Sequence, residues 1–125
     1  MFIYEKKLQY PVRVSGKDVR MAQAVLNQYG GSDGEMSASM NYLTQRFSMP
    51  LNETKGLLTD IGTEELGHME MVATLFKKLI EGATKDELIA AGMGGYYANH
   101  ETCPFLLDAS GVPWESKYTQ AKGDP

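Results

Sequence analysis

Glu65-Leu66-Gly67-His68 is the most informative stretch of this 125-residue chain. It is a Glu-x-x-His pair within a helix-forming run, and residues three apart lie on the same face of a helix. Glu65 and His68 can therefore present a carboxylate oxygen and an imidazole nitrogen to one metal ion. Two such pairs and two single glutamates build the dimetal site of a four-helix bundle. With one pair, the motif predicts half of such a site.

A single glutamate, Glu35, lies thirty residues upstream and completes the half set. The turn between two long helices is expected at residues 48–51, around Pro50. Glu35 lies fifteen residues before Pro50 and Glu65 fifteen after it. At about 1.5 Å per residue, both lie about 22 Å from the turn. An antiparallel hairpin therefore brings Glu35 and Glu65 to the same height, with His68 one turn further along.

The ligand set favours a hard divalent metal. Carboxylate oxygens and one imidazole suit manganese or iron better than a metal that prefers thiolates. Near pH 7 a glutamate is ionised and a histidine is largely neutral, so both can bind a cation. A bound metal would also offset the cost of carboxylates in a bundle interior. The alternative is a solvated surface pair, because Glu-x-x-His occurs by chance in many amphipathic helices.

Neighbouring polar residues are candidates for further members of the site. Tyr42 lies seven residues after Glu35, so two helical turns place it on the same face. Its hydroxyl can orient the Glu35 carboxylate, or it can be a core aromatic with a hydrated hydroxyl. Glu64 and Glu70 are expected to face solvent or another subunit. His100, in a loop-like stretch, receives no ligand role.

The apolar pattern predicts one domain, residues 1–125, with a mainly α fold. The core of this fold is an antiparallel helical hairpin, which is half of a four-helix bundle. Pro11 excludes a central strand, so the N-terminus is an edge strand or an extended arm. Thr84 and Glu87 form a capping-box pattern before a short helix. The segments are the arm (1–17), two long helices (18–47 and 51–81), the short helix (84–91) and a loop-rich wrapping tail (92–125).

Glycines interrupt both long helices. Three lie between residues 30 and 34 of the first helix, and we predict that the helix continues through them, the alternative being a helix end and a restart. Three more, at positions 56, 62 and 67, each cost about 1 kcal/mol against alanine. Tight packing against a neighbouring helix would offset that cost. Asp18 and Asn52 are the expected N-caps of the two helices, and Gly82 is the expected end of the second.

The composition excludes several classes of function. The formal charge is −4, without the basic footprint of a nucleic-acid-binding protein. The N-terminal residues lack the apolar core of a signal peptide, and no window approaches the length of a membrane span. Cys103 is the single cysteine, so an internal disulfide is excluded. We expect a cytoplasmic protein, or one assembled into a coat layer inside a cell.

Five stretches of the chain carry a family resemblance. They are residues 4–11 (YEKKLQYP), 30–31 (GG), 57–65 (LLTDIGTEE), 108–114 (DASGVPW) and 120–125 (QAKGDP). Together they resemble the manganese catalases, and within them the spore-coat catalase-like proteins of endospore formers. The resemblance extends over essentially the whole chain.

This resemblance implies a ferritin-like bundle with two manganese ions that disproportionates hydrogen peroxide to water and dioxygen. By position, Glu35 would be a terminal ligand, Glu65 would bridge the metals and His68 would bind one of them. Tyr42 would lie just outside these ligands. Iron is accepted by the same ligand types. Family members are typically hexamers with arms and tails that wrap neighbouring subunits.

The sequence departs from the family pattern after residue 125. The family continues into two further long helices, which carry the second single glutamate and the second Glu-x-x-His. Three hypotheses follow: a catalase whose site is completed by a second chain or a C-terminal half, a metal-binding homodimer with two-fold symmetry, and a structural spore-coat protein without catalysis. Because a lone hairpin cannot bury its apolar stripe, all three predict a homo-oligomer.

Overall fold

A computed structural model describes residues 3–30 and 33–93. Within these residues the chain forms four α-helices and no strand. One turn of 3-10 helix, Arg46–Ser48, follows the second of them. The helices are α1 (Val19–Gly30), α2 (Glu35–Gln45), α3 (Asn52–Leu79) and α4 (Lys85–Ala90). None of the helices described here has both the length and the apolar character that crossing a membrane requires.

The central feature is the antiparallel packing of α2 against α3. Ser39 is buried, and its hydroxyl donates to the carbonyl of Gly62 at 2.7 Å. A Cβ on Gly62 would lie 2.8 Å from Cγ of Leu43. The missing side chain therefore lets the two helices approach closely. This contact bears out the expected tight packing at one of the three glycines of the second long helix.

The apolar core lies at the C-terminal end of α3, where α1 and α4 pack against it. Leu26 of α1 is 1% exposed, and the Asp18 amide donates to the Leu79 carbonyl at 2.9 Å. Burial of each large aliphatic or aromatic side chain contributes about 1.5–3 kcal/mol. The buried hydrophobic residues are Ala22, Leu26, Phe76, Leu79, Ile80, Leu88 and Met93.

The prediction of one continuous helix over residues 18–47 is wrong. α1 ends at Gly30 and α2 begins at Glu35. Gly34, which precedes α2, has extended backbone angles and is buried. A Cβ at Gly34 would lie 2.6 Å from the Asn27 carbonyl oxygen. The glycine thus lets the chain turn back tightly against the last turns of α1, which a continuous helix would not need.

The predicted helix ends are partly correct. Asp18 caps α1, since its side chain accepts from the Met21 amide at 2.9 Å. Asn52 is not a cap: it is the first residue of α3, and Leu51 stands at the cap position without a side-chain hydrogen bond. Gly82 has a φ of 75° just after α3, a left-handed conformation typical of a glycine that ends a helix.

The short helix α4 begins as its capping-box pattern predicts. The Glu87 amide donates to the Thr84 hydroxyl at 3.2 Å, and the Thr84 amide donates to the Glu87 carboxylate at 2.7 Å. Lys17 also forms an ion pair with Glu87, at 2.6 Å. The Lys17 ammonium, together with the Thr84 hydrogen bonds, lowers the pKa of Glu87 to about 2. These contacts join the end of the N-terminal arm to α4.

The N-terminal arm was predicted to span residues 1–17. The structure describes it from residue 3 onward, where it is extended and lies along α3. The Lys78 ammonium donates to the Val12 carbonyl at 2.7 Å, and Gln9 and Tyr4 also donate to side chains of α3. No residue described in the arm belongs to a strand. The predicted wrapping tail falls largely on residues 94–125, which lie outside the described residues. His100 and Cys103 are among them.

The close approach at Gly62 makes a stability prediction. Gly62→Ala should destabilise the protein by about 1–3 kcal/mol, because the added methyl group overlaps Leu43. Gly56→Ala is the matched control, since a Cβ there would meet nothing within 4 Å. It should stabilise α3 by up to about 1 kcal/mol. Urea unfolding of both variants tests this, and equal effects would contradict the role of Gly62.

Candidate metal centre

The structure brings Glu35, Glu65 and His68 together. Glu35 is the first residue of α2, and the other two lie in the middle of α3. Each offers a ligand atom within 4.8 Å of the others. The matched heights predicted from the spacing around Pro50 are therefore observed. The helix break does not disturb the register because it lies upstream of Glu35.

The three side chains differ in exposure, and both carboxylates lie near Nδ1 of His68. Nδ1 of His68 lies 2.7 Å from Oε2 of Glu65 and 3.9 Å from Oε2 of Glu35. The exposed fraction is 14% for Glu65, 25% for Glu35 and 35% for His68. Nδ1 is thus the ring nitrogen that faces the two carboxylates. The cluster is accessible from its open side and is not sealed within the core.

The Glu35 carboxyl holds its proton more tightly than an ordinary glutamate does. Burial, a hydrogen bond to Glu65 and the charge of Glu65 raise the pKa of Glu35 to about 7, against a smaller lowering by His68. Two carboxylates so close together disfavour the ionisation of both, unless a cation compensates. A divalent ion is the group that would replace the proton held by Glu35. The donor set of two carboxylates and one imidazole therefore fits manganese or iron.

Tyr42 lies beside the α2–α3 contact. Its Cβ would be 3.2 Å from a Cβ placed on Gly62, and its side chain is half-buried. Among the described residues, no hydrogen bond joins Tyr42 to Glu35. A role for Tyr42 beside the ligands stays a prediction, as do the ligand roles of Glu35, Glu65 and His68.

Glu64 and Glu70 were expected to face solvent or another subunit. Glu64 is half-exposed, and both residues also accept a hydrogen bond from the N-terminal arm. The Gln9 amide donates to Oε1 of Glu64 at 2.8 Å, and the Tyr4 hydroxyl donates to Oε1 of Glu70 at 2.6 Å. Oε1 of Glu64 also lies 3.9 Å from Nε2 of His68. The i, i+4 spacing of Glu64 and His68 is the signal that would have indicated this proximity.

Comparison with known proteins identifies the family of the chain. The family model described as manganese containing catalase matches residues 1–125. The chain belongs to the manganese-containing catalase family. Its ferritin-like helical fold is shared with the crystal structure of KatB, a manganese catalase from Anabaena. The two superpose with a TM-score of 0.80 at 30% identity, over 99% of this chain and 55% of that one.

Similar proteins from other bacteria extend the comparison. Protein CotJC of Bacillus subtilis (strain 168) is 51% identical over 125 residues, which cover 100% of this chain and 66% of that protein. A manganese catalase of Bacillus subtilis is 36% identical over 137 residues, covering 99% of this chain and 50% of that protein. The chain thus spans between half and about two thirds of the length of these relatives.

The raised pKa of Glu35 predicts how stability depends on pH in metal-free protein. As pH rises from about 4.5 to about 7, the unfolded state loses this proton before the folded state does, so the free energy of unfolding falls. Glu35→Gln removes the titration. At pH 8 we expect the variant to be more stable than the wild type by about 1–2 kcal/mol, after allowing for partial exposure, with the difference vanishing near pH 4.5.

Denaturant unfolding in a chelator at several pH values measures this difference. Glu81→Gln is the control, because Glu81 is exposed in the turn after α3. It should leave the pH profile of the wild type unchanged. A Glu35→Gln variant that is less stable than the wild type at pH 8 would contradict the raised pKa of Glu35.

Proposed function

We propose that the chain acts as a manganese catalase-like dimetal protein that disproportionates hydrogen peroxide to water and dioxygen. The observation that carries this proposal is the convergence of Glu35, Glu65 and His68 within 4.8 Å. Membership of the manganese-containing catalase family supports it. The remaining ligands of the pair of metals would come from a second chain or from a C-terminal half.

Each of the three side chains has a role in this proposal. Glu65 is the least exposed and lies in contact with both of the others, as a residue bridging two metals would. Glu35 would bind one metal from α2, and His68 would bind through Nδ1. Manganese, when bound as a pair, supplies the two-electron redox chemistry that disproportionation requires. The partial exposure of His68 leaves a path for a molecule as small as peroxide.

The exposed apolar residues of the hairpin support completion of the site by further chain. Phe47 is 76% exposed, and Leu51 and Leu57 are 58% and 57% exposed. Met40, on α2, is 48% exposed. Large apolar side chains grouped at one end of a hairpin are typical of a surface that another element covers. We therefore infer that the hairpin functions within a homo-oligomer or against additional helices.

A structural role in the spore coat, without catalysis, is the second candidate function. Five stretches of the sequence resemble the spore-coat branch of the family. Three residues of a six-ligand dimetal site lie in the described part of the chain. A protein with this half set could bind metal for assembly and have no turnover.

Metal content and oxygen release separate the two functions. In chain purified with excess manganese, we expect about one metal ion per chain by elemental analysis and oxygen release from peroxide at an electrode. Glu65→Ala should abolish both, because it removes the ligand shared by the cluster. Glu81→Gln should change neither. Metal without oxygen release would favour the structural role, and a Glu65→Ala variant with full metal content would contradict the ligand assignment.

Assembly is testable independently of metal. Light scattering at micromolar concentration should give a mass of at least two chains of 13.8 kDa. Phe47→Glu should weaken the association, since it places a charge on the most exposed aromatic residue of the hairpin. A stable monomer of the wild-type chain would contradict the predicted assembly.

A further inference from the structure

The two ring nitrogens of His68 face different groups. Nδ1 faces the ligand cluster, at 2.7 Å from Glu65. Nε2 faces outward along α3, at 3.9 Å from Oε1 of Glu64. A histidine that binds metal through one nitrogen carries its proton on the other. If Nδ1 binds metal, the Nε2–H group therefore points toward a carboxylate.

Glu64 is held in this place by the N-terminal arm. The Gln9 side chain donates to Oε1 of Glu64 at 2.8 Å across 55 residues of sequence. Gly67 leaves room for this contact, because a Cβ there would lie 3.1 Å from Oε1 of Gln9. Any larger residue at position 67 would crowd the Gln9 amide. The arm thus binds Glu64, the carboxylate beside Nε2 of His68, through one hydrogen bond.

Carboxylates in this position have a known physical effect on metal ligands. A ligating histidine that donates its second N–H to a carboxylate has a fixed ring orientation and a more basic metal-binding nitrogen. The present separation of Nε2 and Glu64 exceeds a hydrogen bond by about 1 Å. A small rotation of the half-exposed Glu64 side chain, or one bridging water, closes that gap.

We propose that Glu64 positions His68 for metal binding by accepting a hydrogen bond from Nε2–H, and that Gln9 of the N-terminal arm holds Glu64 for this purpose. The inference rests on the proposed metal site and adds two positioning residues to it. It makes the contact between Gln9 and Glu64 a determinant of metal affinity.

The arm offers its own matched control. Tyr4 donates to Oε1 of Glu70 at 2.6 Å, a contact between the same arm and the same helix. Glu70 lies two residues beyond His68, about 200° around the helix, and so points away from it. Removing the Tyr4–Glu70 contact loosens the arm without touching the partner of His68.

Manganese affinity of the full chain in its assembled form tests the proposal, with free Mn²⁺ measured by electron paramagnetic resonance. Glu64→Ala should weaken binding about 10–100-fold, the range found for such outer partners. Glu64→Gln should lose less, because its amide oxygen still accepts from Nε2–H. Gln9→Ala should weaken binding several-fold, and should add little in the Glu64→Ala background. Tyr4→Phe and Glu70→Gln should change the affinity less than twofold.

A spectroscopic readout separates positioning from a general structural effect. In protein loaded with diamagnetic Zn²⁺, the Nε2–H proton of His68 should give a downfield resonance protected from solvent exchange. Glu64→Ala should move this resonance upfield and speed its exchange. Glu70→Gln should leave the resonance unchanged.

Each outcome decides the matter. Wild-type affinity in Glu64→Ala, with an unmoved Nε2–H resonance, would overturn the inference while leaving the proposed function intact. Equal losses in Tyr4→Phe and Gln9→Ala would show that arm docking alone matters, and would overturn the role of Gln9. Failure of the wild-type chain to bind manganese would instead overturn the proposed function, and the inference with it.

Discussion

The close packing of α2 on α3 at Gly62 is the constraint on which the candidate site depends. The missing side chain and the Ser39 hydrogen bond to the Gly62 carbonyl hold the two helices in one register. Glu35 lies one turn before Ser39, and Glu65 lies three residues after Gly62. Since the helices run antiparallel, this register sets the two carboxylates side by side. A shift of one turn, about 5.4 Å, would separate them.

The register has an electrostatic cost that a bound cation would offset. Burial, with the hydrogen bond to Glu65 and the charge of Glu65, raises the pKa of Glu35 to about 7. Residues arranged in this way destabilise the metal-free fold near neutral pH, a pattern typical of functional sites. The same arrangement is favourable once a divalent ion is bound. The site and the fold are therefore coupled through the charge state of Glu35.

Much of this geometry follows from local sequence spacing. The heights of Glu35 and Glu65, the shared face of Glu65 and His68, and the Thr84 capping box are all periodic or short-range features. The break before Glu35 was not predictable in the same way. It depends on how closely Gly34 approaches the Asn27 carbonyl, a tertiary contact that glycine content alone does not specify.

Contacts between distant segments could not be predicted from the sequence either. Glu64 lies 55 residues from Gln9, so no local pattern could indicate that the arm binds it. The position of Leu51 as the cap of α3 depends on where the turn ends, which propensity defines only to within a residue or two. Sequence reasoning thus found the ligand candidates, whereas the structure was needed to find what surrounds them.

Anomalous X-ray diffraction at the manganese edge tests the central claim most directly. From crystals grown in excess manganese, the account predicts an anomalous peak in contact with Glu35, Glu65 and Nδ1 of His68. A second peak beyond Glu65 would identify it as the bridging residue. Manganese bound elsewhere, or no peak between these three side chains, would contradict the account.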